Sequence, residues 1–181
     1  MALSRKRLLK TRLKNRLSKQ EVDEVVAEIR SGTLTVSDLR PLLFETAPVL
    51  LFNFYWILAT VSNCSAGSLR GLETDIFRGM LHHVSQESVV RSVLSVFKKA
   101  DIPEAIEDEL YAFCFGIIES PGSPIAHRSF ALVVCARICK KYPALAGELL
   151  ATAKQVEETY GAVSPGVRSA VRQVSRMLSP C

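Results

Sequence analysis

No stretch of this chain alternates apolar and polar residues at the strand period, and no two-residue hairpin turn joins two such runs. A sheet therefore has nothing to build from. Residues 1–17 contain no acid and no apolar core of the kind a secretory leader carries, so no such leader is expected. The five cysteines (Cys64, Cys114, Cys135, Cys139 and Cys181) are odd in number and form no CxxC pair. They read as reduced thiols of a cytoplasmic protein rather than a disulfide frame. No glycine-rich phosphate loop, GxSxG or HExxH is present, and no enzymatic activity or cofactor is expected. Aromatic residues are scarce among the bases, which argues against stacking on single-stranded nucleic acid.

What the chain does have is apolar bulk: 48% of its 181 residues, enough to bury a core. The formal charge is +5, moderately basic. The longest apolar run, Val49 to Val61, is too short to cross a bilayer of about 30 Å and contains Asn53, so it reads as a buried helix rather than a transmembrane one.

Helix signals follow one another along the chain. Ser18 with Glu21, and Thr35 with Asp38, have capping-box spacing. Gly32 ends the first of these helices, over about 19–31. Pro48, Pro103 and Ser164-Pro165 open others, and Ser123-Pro124 opens a stretch with seven consecutive apolar residues from Phe130 to Ala136. That stretch needs neighbours on several sides, and Phe130 and Val133 are expected at its buried centre. On this expectation Phe130→Ala costs about 3–5 kcal/mol.

A register recurs. Arg91-Ser92, Arg128-Ser129 and Arg168-Ser169 stand 37 and 40 residues apart, and Asn53 falls one step before the first of them. Helix pairs repeating at this length form a solenoid. The expected architecture is an all-α, right-handed superhelix of about four pairs near residues 36–62, 69–100, 103–141 and 144–178, preceded by the helix at 19–31. Residues 1–17, with seven bases and leucines at helical spacing, form a basic arm or frayed helix, and residues 18–181 one repeat domain.

The Val-Arg-Ser segments opening second helices resemble the second-helix signature of HEAT repeats. IPEAIEDELYAFCFGIIESPGSPIAHRSFALVVCARICKKYPAL and YGAVSPGVRSAVRQVSRML are similar to small bacterial HEAT-like (armadillo-type) proteins of uncharacterised function. Some such proteins carry an adenylosuccinate lyase label, but no SSxMPxKxN-type loop is present here. HEAT-like DNA glycosylases place an aspartate and aromatics on the concave face. The only tryptophan here, Trp56, has no aspartate in its helix.

Charge separates by helix. Residues 86–99, 123–141 and 164–178 hold ten bases against one acid, whereas 103–119 and 144–160 are acidic. The resemblance implies that second helices line the concave face, which would then be basic. Arg91, Lys98, Lys99, Arg128, Arg137, Arg168, Arg172 and Arg176 are the candidate partner-binding residues. The expected partner is a protein or peptide segment, acidic in character, with sequence-nonspecific nucleic acid as the alternative. The structural alternative for Arg91 and Arg128 is bridging of neighbouring repeats through carboxylates. Arg168, Arg172 and Arg176 have no acid near them in sequence. Cys135 and Cys139 share a helix face, as half a metal site would, but read as core. The acid run Glu107-Asp108-Glu109 reads as a helix-dipole feature.

Overall fold

The computed structural model describes residues 2–179, so Cys181 lies outside the described residues. All regular structure among them is helical. The elements are α1 (Ala2–Arg12), α2 (Lys19–Arg30), α3 (Val36–Leu39) running into a 3-10 turn at Arg40–Phe44, α4 (Pro48–Ser65), α5 (Glu73–Leu81), α6 (Glu87–Phe97), α7 (Glu104–Glu119), α8 (Ile125–Cys139), α9 (Ala146–Tyr160) and α10 (Pro165–Leu178). They gather into two compact units, the first ending at Pro103 and the second beginning at Glu104.

In the first unit like packs with like. Second helices lie side by side, α2 on α4 and α4 on α6, while α1 meets α3 and the 3-10 turn meets α5. This is the two-layer packing of stacked helix pairs, with three pairs in the unit. The second unit adds two more, with α8 against α10 and α7 against α9. Five pairs thus stand where about four and a lone helix were expected. The extra first helix is α1, within the segment read from sequence as a basic arm or frayed helix. Leu9 and Leu13 are buried, and Arg12 reaches Glu28 at 2.7 Å while Arg5 donates to the Thr33 carbonyl. Those contacts run α1 antiparallel to α2. The acids missing from residues 1–17 are supplied by α2 and by Glu45, which meets Lys10 at 2.6 Å.

Local chemistry explains the helix starts. Ser18 accepts the Glu21 amide, and the Glu21 carboxylate accepts the Ser18 amide at 2.7 Å. Thr35 and Asp38 make the second capping box, and Ser164 accepts the Val167 amide. Ser123 does not cap α8. Pro124 is the cap, because its extended backbone turns its carbonyl to the His127 and Arg128 amides.

α4 is the core of the first unit. Leu50, Leu51, Phe54, Tyr55, Ile57, Leu58 and Val61 are each at most 1% exposed, and full burial of each such side chain contributes roughly 1.5–3 kcal/mol. The helix runs three residues past the expected end at Ser62. With the following turn it is the one stretch among the described residues long and apolar enough to span a membrane, and 56% of its most apolar window is buried within the protein. Its buried polar groups find protein partners: Ser62 Oγ donates to the Val96 carbonyl at 2.9 Å, and the Asn53 amide to carbonyls of the preceding pair.

α8 holds the same place in the second unit, packed against α7, α9 and α10. Val133 is buried, but Phe130 is only half-buried, on the outward stripe it shares with Arg137. The penalty for Phe130→Ala is therefore below the 3–5 kcal/mol range of an enclosed aromatic. Cys114, Cys135 and Cys139 are buried thiols, and burial pushes the Cys135 thiol well up; no group of three or more His, Cys, Asp or Glu that could hold a metal exists among the described residues.

α7 is fastened to the end of α8 through Glu107. Its carboxylate accepts from the Tyr142 hydroxyl at 2.6 Å and from Lys141 Nζ at 3.0 Å, in a residue only 6% exposed. The Tyr142 hydrogen bond, opposed by burial and aided by Lys141, holds the carboxyl below the usual carboxylate range. A lowered folded-state value makes this stabilisation full above the unfolded carboxylate value near about 4.3, and it fades as pH falls through the folded value. Tyr142→Phe is therefore expected to lower the melting temperature at pH about 7, by an amount that shrinks as pH falls through the folded-state value of Glu107. A difference that persists unchanged at the acid end would assign the effect of Tyr142 to packing instead.

Candidate binding faces

The register Asn53, Arg91, Arg128, Arg168 marks second helices correctly but not equivalent surroundings. Asn53 and Arg128 are buried; Arg91 and Arg168 are exposed. Arg128, at 2% exposure, is the largest fully enclosed side chain among the described residues. Its guanidinium donates to the Ser120 carbonyl and lies 4.4 Å from the centroid of the Tyr160 ring. This overturns Arg128 as a partner-binding residue, because a side chain so enclosed meets no partner. It also replaces the expected carboxylate bridge: the ligand is the Ser120 carbonyl, which opens the α7–α8 turn directly after α7. Arg168 repeats the motif one pair later, donating to the Gly161 carbonyl at 2.9 Å across the α9–α10 turn, and remains otherwise exposed.

The remaining predicted residues fall on outward faces, divided between the units. In the first, Arg91 and Lys99 are exposed on α6 and at its end, and Lys98 is part-buried. Burial, then the Lys99 charge beside it, lower the Lys98 ammonium below its usual range. In the second, Arg137 is part-exposed on α8, and Arg172 and Arg176 are exposed on α10.

α10 is strongly one-sided. Val167, Ala170, Val171 and Val174 are buried, and no acid occurs on the helix. Arg172, Ser175, Arg176 and Val171 line a shallow depression of about 470 Å³ together with Glu157 of α9. Glu157 corrects the expectation that no acid lies near the arginine stripe. It comes from the antiparallel first helix of the same pair, a proximity that linear spacing hides.

An aromatic pair lies on the outer side of the first unit. Phe52 and Trp56, one turn apart on α4, are both part-exposed with ring centroids 6.0 Å apart, and the Arg16 guanidinium lies 5.8 Å from the Phe52 centroid. The i, i+4 spacing was visible, but an all-apolar helix shows no outward side until its neighbours are known.

A family model described as a HEAT repeat domain matches residues 9–178, beginning inside α1. No curated protein and no solved structure matches the chain.

Proposed function

Because the chain belongs to the HEAT repeat family, we propose that it is a non-enzymatic binding scaffold that holds an acidic segment of a partner protein on outward faces of its second helices. The observation that carries this reading is α10. Arg172 and Arg176 are exposed one turn apart beside a depression, on a helix whose burial requires only its valine and alanine stripe. Like charges so placed repel one another, and an anionic partner offsets that repulsion. Arg91, Lys98, Lys99 and Arg137 extend the reading to the other second helices. Arg128 has no part in it, and Arg168 a reduced one.

The test is a salt series with a labelled oligoglutamate peptide, followed by anisotropy. Binding is expected at about 50 mM salt and is expected to weaken at about 200 mM. Arg172→Gln with Arg176→Gln is expected to weaken it about tenfold. Thermal stability should stay unchanged, since neither side chain is buried. No binding at low salt rejects the reading. Binding of random duplex DNA but not of the peptide, with a log–log salt slope of about −0.9 per phosphate, replaces it with nonspecific nucleic-acid binding.

A further inference from the structure

α4 and α6 lie side by side with their C-terminal ends together: Ser62 Oγ donates to the Val96 carbonyl at 2.9 Å and Lys99 Nζ to the Asn63 carbonyl at 3.2 Å. The two helices therefore run parallel. The stripe of α4 left uncovered by its neighbours is Phe52, Trp56, Thr60 and Asn63. It contains no charge, and neither does any other residue of α4. Cations stand at its two ends. Arg16 lies over Phe52 at one, and Lys99, with Lys98 beside it, reaches Asn63 at the other. The axial rise from Phe52 to Asn63 is about 16 Å. An extended peptide covers that distance in about five residues.

We infer that this face of the first unit holds an extended acidic segment of a partner protein, whose two acidic positions about five residues apart meet Arg16 and Lys99, while an apolar side chain between them rests on Trp56. This rests on the scaffold reading above and gives it a sequence pattern. The pattern follows from the placement of charge. A nucleic-acid strand presents phosphates at every step and is served by a continuous cationic track, with bases stacked along it. Here the middle of the face is neutral, and one of its two rings is already covered by a guanidinium. A segment with separated acids and an apolar centre matches both ends and the middle.

Trp56 is the only tryptophan, so its emission reports this face and no other. The probe is the tryptophan-free peptide Glu-Glu-Ala-Leu-Ala-Leu-Glu-Glu, titrated into the full chain. It is expected to shift Trp56 emission saturably. The same residues with all four glutamates at one end, or with serine for leucine, should bind about tenfold more weakly. Arg16→Gln and Lys99→Gln should each weaken binding about fivefold, with unchanged circular dichroism confirming the fold. Equal affinity for the separated and gathered peptides overturns the inference, as does a Trp56 response to oligothymidylate and not to the peptide. If the peptide binds through Arg172 and Arg176 while Trp56 stays silent, the inference fails and the scaffold reading stands. If no acidic peptide binds at all, both fail.

Discussion

Arg128→Ala is expected to cost the second unit about 3–4 kcal/mol, read as lost hydrogen-exchange protection along α8 and α9. Three effects add. The Ser120 carbonyl loses a charged donor, a bond of about 1.5–3 kcal/mol. The Tyr160 face loses a desolvated cation 4.4 Å away, about 2 kcal/mol. The stem of one of the largest enclosed side chains leaves a void. Against these stands the relief of a buried cation whose Nε has no hydrogen-bond partner, about 1–3 kcal/mol. Arg128→Met separates the contributions, since methionine keeps most of the volume and removes the charge. Its expected loss is about 1 kcal/mol, because desolvation relief then nearly offsets the lost bonds. Equal losses for the two variants would show that volume decides nothing here and that the polar contacts carry the whole effect.

Arg128 also shows what a one-dimensional pattern can and cannot say. The Arg-Ser register located second helices, and in the two pairs of the second unit it also marks a shared turn contact. Arg128 and Arg168 both reach back to the carbonyl that opens the turn, directly after the preceding helix. Whether the side chain is enclosed depends on what packs over it. Tyr160, 32 residues later, closes over Arg128, and no local spacing encodes that contact. The capping boxes at Ser18 and Thr35 and the Ser164 cap were legible for the opposite reason, since every atom they use lies within three residues.

The same contrast runs through the candidate faces. Arg172 and Arg176 were legible as outward because an amphipathic helix states its own buried stripe. Phe52 and Trp56 were not, because α4 is apolar around its whole circumference and only α2 and α6 decide which strip stays uncovered. That α1 packs as the first helix of a pair was not legible, because the acids that meet its bases, Glu28 and Glu45, lie outside residues 1–17.

Asn53→Ala is expected to loosen the first pair from the rest of the first unit, with a loss of about 3–5 kcal/mol. Asn53 is fully buried, and its side chain does the work of a turn. Nδ2 donates to the carbonyls of Leu13 at 3.0 Å and Asn15 at 2.7 Å, and Oδ1 accepts the Leu17 amide at 3.3 Å. Three backbone groups of the α1–α2 connection are thus satisfied from α4. Alanine strands all three, at about 1–3 kcal/mol each, and the loss is capped because the connection can lift off and meet water instead. Hydrogen exchange should therefore quicken in α1 and α2 before α6, with Trp56 emission changing early because it sits one turn from Asn53. Asn53→Asp discriminates further. At neutral pH it sets a carboxylate against two carbonyl oxygens and should lose more than alanine does. Burial and those carbonyls raise the folded-state value of the new carboxyl above its unfolded one, so the deficit relative to Asn53 grows as pH rises through the unfolded value and shrinks in acid, where the protonated form donates one hydrogen bond. A deficit for Asn53→Asp that is equal at pH about 3 and pH about 7 would mean that the carbonyls of Leu13 and Asn15 have already turned away, and that Asn53 does not hold the first pair in place.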